Sequence, residues 1–382
     1  MIDGALRIAS LEAVTAKFQL EHALRVGNNI VSEREYTFLS LSSADGIVGE
    51  AYSLTRGLPV VSVITRFLAP MVLGADISDP RSLHVERSRR IRPLDIDSCV
   101  RRGVSLIDIA TWDLLGKTTE QPVYRLLGAA ARTEQARGIN VIGYGRDGES
   151  ETSAFRRMER YMTERGDLIK MAGHSDFSAL GRLARFLNRD AATGPNVALD
   201  MAWILYGREL TKDLRSHVDE SLVYWLEDPV HAEDRDELRS VRSDWVGKIA
   251  VGDDVSCLSP VLNAVSGGFI DIPRIDSTTV GGLTSAVEAC RSTDLADVPV
   301  SPHIYPEIHS HLAAACANVK FVEFFPDDGS LDASNQFMRE REFSPSRPGA
   351  TPSAVGLGMK LDWESIRRHA IASSILSEGG LA

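Results

Sequence analysis

The sequence is poor in cysteine: the four it has, Cys99, Cys257, Cys290 and Cys316, are widely separated and none forms a CxxC pair. That spacing excludes a zinc knuckle and a disulfide framework, and it fits a reducing, cytoplasmic setting. Long apolar runs are absent too. The most apolar early stretch, residues 60–74, is interrupted by Arg66 and Pro70, and no basic start followed by an apolar core opens the chain. Neither an export signal nor a membrane span is expected. Positive charge is the third shortage. With 42 basic against 53 acidic residues the net charge is -11, which disfavours nucleic acid and acidic membrane surfaces as partners. A small anionic substrate then needs local cations.

What is present suits one barrel with an added smaller domain: 382 residues, 43% of them hydrophobic, can bury a large core. The first 130 residues read as an α+β unit. Residues 31–40 and 47–52 have strand character around an Asp45-Gly46 turn, and residues 60–72 and 98–117 carry apolar positions at helical spacing. From about Gln135 short apolar runs alternate with charged amphipathic stretches. Candidate strands are 139–142, 168–171, 197–199, 223–226, 248–251, 269–275, 298–301 and 319–322. Eight strands with helical sequence between them predict a (β/α) barrel. The division expected is a capping domain over 1–130, a barrel over 131–345 and a C-terminal segment over 346–382. That last segment follows a linker-like Ser344-Pro345-Ser346-Arg347-Pro348-Gly349 run, turns helical from Trp363, and is expected to pack on the first unit.

Three of the strands end in a carboxylate at near-equal intervals: Asp200, Glu227 and Asp253. In a barrel that period returns the chain to one rim, where three hard oxygen ligands can meet a divalent cation. An isolated strand-end Asp more often caps the next helix. Four further residues stand at the ends of other strands, however: Lys170 at the second, Asp276 at the sixth, His303 at the seventh and Glu323 at the eighth.

Residues 105–117 (SLIDIATWDLLGK), 225–229 (WLEDP), 276–284 (DSTTVGGLT), His303 and 311–315 (HLAAA) resemble the mandelate racemase and muconate lactonizing branch of the enolase superfamily. The resemblance spans nearly the whole chain. It implies a modified (β/α)7β barrel under an α+β capping domain, with Mg²⁺ held by Asp200, Glu227 and Asp253. Many relatives carry Glu at the third ligand, and here Asp254 stands beside Asp253.

Removing a proton next to a carboxylate creates an ene-diolate, which sites of this superfamily stabilise with a Lys or His base and bound Mg²⁺. His303 suits the base, and Asp276 suits the group that fixes its tautomer. Glu323, if protonated, can donate to the developing oxyanion, or it can serve as a structural partner of Lys170. Lys170 suits the substrate carboxylate. Arg25, Asn28, Asn29, Tyr52 and Arg56 fall in segments that cover the barrel mouth in relatives, and Arg25, Tyr52 and Arg56 are the expected substrate contacts.

One departure sets the expected reaction. Relatives that work from both faces of the substrate carry Lys-x-Lys at the second strand, whereas this chain reads Lys170-Met171-Ala172. With His303 as the only base, the chain can take an α-proton and return it to a departing β-hydroxyl. The reading is therefore an acid-sugar dehydratase, a carbon-oxygen lyase working on a hydroxy-carboxylate and assembled as a homo-oligomer. A racemase, epimerase or cycloisomerase using Lys170 or His174 is the alternative, followed by a metal-binding barrel without turnover.

Overall fold

The computed structural model describes residues 6–26, 29–91, 98–128, 135–162, 168–173, 176–189, 195–326, 329 and 331–380. Asn28 and His174 lie outside the described residues. The chain opens with three antiparallel strands, β1 (Ile8–Val26), β2 (Asn29–Ser43) and β3 (Val48–Leu54). The expected Asp45-Gly46 turn joins the second pair. There Gly46, at φ +82°, donates its N–H to the Ser43 carbonyl at 3.1 Å, a left-handed conformation that glycine adopts without cost.

The helix Ser98–Thr118 packs on this sheet. The contact is close because Gly49 has no side chain: a Cβ there would stand 2.2 Å from the Ala110 carbonyl oxygen.

The barrel strands follow: β4 (Arg137–Val141), the short β5 (Gly145–Arg146), β6 (Leu168–Ala172), β7 (Val197–Asp200), β8 (Val223–Glu227), β9 (Ile249–Val251), β10 (Ile272–Ile275), β11 (Ser301–Pro302) and β12 (Phe321–Phe324). β5 leaves the barrel and pairs with the far end of β1. The other eight lie in the order β11-β10-β9-β8-β7-β6-β4-β12, all parallel. A parallel bridge between Val300 and Val319 closes the ring.

Among the described residues seven helices connect them: Glu151–Met162, Phe177–Asn188, Arg208–His217, Arg235–Asp244, Ser259–Ser266, Gly282–Asp294 and Pro306–Ala315. This is the expected (β/α)7β order. The helix Phe177–Asn188 shows why such segments fold as they do. Asp176 caps it by accepting from the Ala179 N–H, and Leu180, Leu183, Ala184 and Leu187 bury one face at helical spacing. Inside the ring Ile139, Leu168, Ala198, Trp225, Ala250, Ile272 and Phe321 form a separate apolar layer. A side-chain layer of this kind fills a parallel barrel and leaves chemistry to the carboxyl ends of the strands.

Past the barrel, β13 (Met338–Arg341) and β14 (Met359–Leu361) pair with each other, and β15 (Ala370–Ser377) returns to the outer edge of β1. The helix expected from Trp363 is short. Asp362 caps Trp363–Arg368, and the chain then becomes a strand, because β1 offers an unpaired edge to the Ala370-Ile371-Ala372-Ser373-Ser374-Ile375 run.

Two of the motif segments are packed on one another. Asp108 accepts from the Thr284 N–H at 3.0 Å and from its hydroxyl at 2.7 Å, and Trp112 Nε1 donates to Thr284 Oγ1 at 2.9 Å. Gly282, at φ +95°, lies so close to Asp108 that a Cβ would overlap its carboxylate. Among the described residues no helix is long and apolar enough to cross a membrane.

Candidate active site

The strand ends bring the three carboxylates together. One oxygen each of Asp200, Glu227 and Asp253 lies within 4.8 Å of the other two. The remaining oxygen of each is held by the protein. Asp200 Oδ1 accepts from the Ala202 N–H at 2.9 Å, Glu227 Oε2 from Trp225 Nε1 at 2.8 Å, and Asp253 Oδ1 from Arg274 Nε at 2.8 Å. The other oxygens, Asp200 Oδ2, Glu227 Oε1 and Asp253 Oδ2, face a common point.

A cation sits at that point. Lys170 Nζ is 3.2 Å from Asp200 Oδ2 and 3.1 Å from Asp253 Oδ2, and it also contacts Glu227 Oε1. Burial works against its ammonium, yet the Asp200, Asp253, Glu227 and Glu323 charges raise its pKa well above the usual lysine value. Burial also pushes Glu227 up to about 8, against the pull of Arg274 and Lys170. Its Oε1 is fully buried and makes no hydrogen bond of acceptable geometry; its contacts are the charges of Lys170 and Arg274. An all-oxygen donor set with an orphaned carboxylate oxygen and an ammonium standing in its centre fits a hard divalent cation.

Asp253 reaches this position through Gly252, whose φ of +137° turns the chain where a Cβ would stand 2.3 Å from the Arg274 carbonyl oxygen. Asp228 braces the turn by accepting from the Gly252 and Asp253 N–H groups at 2.8 and 3.1 Å. The adjacent acid goes elsewhere. Asp254 Oδ1 accepts from Arg102 Nη2 at 2.7 Å, and its other oxygen pairs with Arg56. Asp253 thus joins Asp200 and Glu227, while Asp254 ties the barrel to the first domain.

His303 lies across from these carboxylates, buried, with Nδ1 2.9 Å from Asp276 Oδ2 and Nε2 3.5 Å from Asp253 Oδ2. Asp276 Oδ1 is fixed by the Thr278 N–H and hydroxyl, both at 2.7 Å. The two residues after His303, Ile304 and Tyr305, are left-handed at φ +40° and +51°, a local strain that stays only where surrounding contacts hold it. One such contact is Tyr305 Oη accepting from the Leu54 N–H at 2.8 Å.

Burial lowers the His303 pKa, but Asp253, Asp276 and Asp254 outweigh it and raise the value to about 9. This folded value lies above the roughly 6.5 of a free histidine. The ion pairing therefore contributes stability that is complete below about 6.5 and is lost as pH rises through about 9. An NMR titration of chelator-treated protein is expected to place the imidazole midpoint near 9. A midpoint at or below the free-histidine value would contradict the geometry.

Glu323 is surrounded by cations: Lys170 Nζ donates to Oε1 at 3.2 Å, and Arg274 bonds to Oε2. Despite burial, Arg274 and Lys170 hold its pKa below the usual carboxylate value. As placed it accepts hydrogen bonds from Lys170 and Arg274.

Each of the three expected substrate contacts has a partner within the protein. Tyr52 donates to Glu307 Oε2 at 2.9 Å inside an aromatic cluster with Phe38, Tyr305 and Phe337. Arg56 is committed to Asp254. Arg25 is half exposed, 3.6 Å from Asp147, on the wall of a cavity of about 540 Å³ that Gly143, Arg146 and Ala172 also line. Arg274, Asp228 and Arg102 are site residues that pattern reading passed over. Arg274 carries a signal, a charge in the middle of the buried strand Ile272–Ile275.

Comparison with known proteins agrees with this architecture. Residues 155–365 match the family model described as enolase C-terminal domain-like. Residues 10–128 match the mandelate racemase / muconate lactonizing enzyme N-terminal domain. A D-galactonate dehydratase family member from Streptomyces bingchenggensis is 24% identical over 75% of this chain and 77% of its own length. D-xylonate dehydratase from Haloferax volcanii is 25% identical over 87% of this chain and 84% of its own. Among solved structures, L-talarate/galactarate dehydratase from Salmonella typhimurium LT2, liganded with Mg and L-lyxarohydroxamate, superposes with a TM-score of 0.81 at 19% identity. That match covers 97% of this chain and 94% of the other.

Proposed function

Because the chain belongs to the mandelate racemase and muconate lactonizing enzyme family, we propose that it dehydrates an acid sugar to a 2-keto-3-deoxy acid with Mg²⁺ as cofactor. The observation that carries the proposal is the facing arrangement of the Asp200, Glu227 and Asp253 oxygens and the His303–Asp276 pair, with Ala172 at the second-strand position. A D-galactonate dehydratase family member and a D-xylonate dehydratase among the relatives support it.

Asp200, Glu227 and Asp253 would hold the metal. When bound, Mg²⁺ supplies Lewis-acid charge to the substrate carboxylate as its α-proton leaves. His303, neutral once a bound cation would take up the Asp253 charge that raises its pKa, takes that proton on Nε2, while Asp276 keeps the Nδ1 proton in place and balances the imidazolium. The C–H electrons move into the ene-diolate and expel the β-hydroxyl as its C–O bond breaks. His303 returns the proton to that oxygen, so water leaves, and the remaining enol tautomerises to the ketone. Lys170 offers its ammonium to the substrate carboxylate once it gives up its place among the ligands. Glu323 stays ionised and fixes the Lys170 ammonium.

The test is a screen of aldonic and aldaric acids with Mg²⁺, read by a colour reaction for 2-keto-3-deoxy acids. Turnover of at least one acid that stops in chelator is expected. Racemisation or cycloisomerisation of a carboxylate with no dehydration product would overturn the proposal.

A further inference from the structure

One buried cation in the barrel is neither an expected base nor an expected contact. Arg274 lies in β10 with no exposed surface. Its Nε donates to Asp253 Oδ1 at 2.8 Å and its Nη1 to Ser301 Oγ at 2.6 Å. Its Nη2 lies 3.3 Å from Glu227 Oε1 and bonds to Glu323. A guanidinium does not lose its proton in proteins, so this is a permanent positive charge touching two of the three metal-holding carboxylates.

Resting on the dehydratase reading, we propose that Arg274 is a positioning residue whose fixed charge makes the metal-loaded site neutral toward an anionic substrate. With a cation bound, which requires Glu227 to give up its proton, Asp200, Glu227, Asp253 and Glu323 bring four negative charges to one cluster, all in contact with Lys170. Lys170 and a divalent cation return three positive charges. Arg274 supplies the fourth. Without it a substrate carboxylate would enter a cluster of net negative charge, with little water to screen the repulsion. The planar fork also explains the residue type: it reaches Asp253 and Glu323 at once from a single strand position, which an ammonium does less well.

A rival role for Arg274 is to aim Asp253 at the metal, and the two roles give opposite signs. If charge is what matters, losing it strengthens the attraction of the carboxylates for a cation and weakens it for an anion. If aim is what matters, losing it weakens metal binding.

The experiment uses the full chain as Arg274→Met and Arg274→Lys. Mn²⁺ affinity is read by titration calorimetry, and kcat and KM on an acid sugar turned over by the wild type. Arg274→Met is expected to bind Mn²⁺ about tenfold tighter and to raise KM about tenfold, with kcat moved less, while Arg274→Lys stays within about threefold of wild type in both. Weaker Mn²⁺ binding or an unchanged KM in Arg274→Met overturns the inference. Should Arg274→Met fail to fold, Arg274→Lys decides: near-wild-type values support the charge role, and Mn²⁺ binding weakened about tenfold or more overturns it. Loss of Mn²⁺ binding in the wild type itself would instead sink the dehydratase reading.

Discussion

Replacing His303 by Asn is expected to slow α-proton exchange by about a thousandfold or more, the scale at which a positioned general base contributes, while Mn²⁺ affinity stays within about threefold. The two readouts separate because His303 stands beside the proposed ligands and outside their set. Its Nδ1 is committed to Asp276, and its Nε2 stands 3.5 Å from Asp253. Asp276→Asn is expected to fall by less, since the base remains but loses its orientation and its counter-charge. Normal solvent exchange in His303→Asn would place the base elsewhere. Abolished metal binding in the same variant would make His303 a ligand.

Glu227→Gln carries the second large effect. A direct ligand exceeds the 10- to 100-fold loss typical of its hydrogen-bonding partners, so Mn²⁺ affinity is expected to fall by more than about 100-fold and activity with it. Glu227 is chosen because its Oε1 is wholly buried and is touched by cations alone, whereas Asp200 is partly open. Asp254→Asn is the control. Its carboxylate is turned toward Arg56 and Arg102, so it should keep more metal affinity than Asp253→Asn. Calorimetry on the three variants checks both statements, and a reversed order between Asp253 and Asp254 would move the ligand by one residue.

The barrel was legible because each strand announces itself by a short apolar run, and the polar residue that ends the run marks the catalytic rim. The misread ends have local causes. The sixth strand starts at Ile272, not at Phe269, since the Phe269 N–H still closes the helix before it by donating to the Ala264 carbonyl. The seventh is Ser301–Pro302, not 298–301, because the Val298 N–H bonds back to Thr293 at the end of the preceding helix. β1 is hard to see in the sequence because Ala13 and Ala16, weak strand formers, fill buried positions along it.

In the site, residues that meet through strand-end periodicity could be read, and those that meet through tertiary packing could not. Nothing local ties Tyr52 to Glu307 or Arg56 to Asp254, pairs far apart in the chain, so their commitment to the fold appears only in three dimensions. Arg274 is an intermediate case. Its place inside a buried strand was visible, while the carboxylates it joins were not.

The central proposal is that His303 works alone, from one face, with Ala172 standing where relatives carry the second lysine. It is tested most directly by NMR in deuterated water on an α-hydroxy acid that has no β-hydroxyl to lose. The account predicts replacement of the α-hydrogen by deuterium with configuration retained and no second epimer formed. Interconversion of the two α-epimers at a rate comparable to exchange would contradict it.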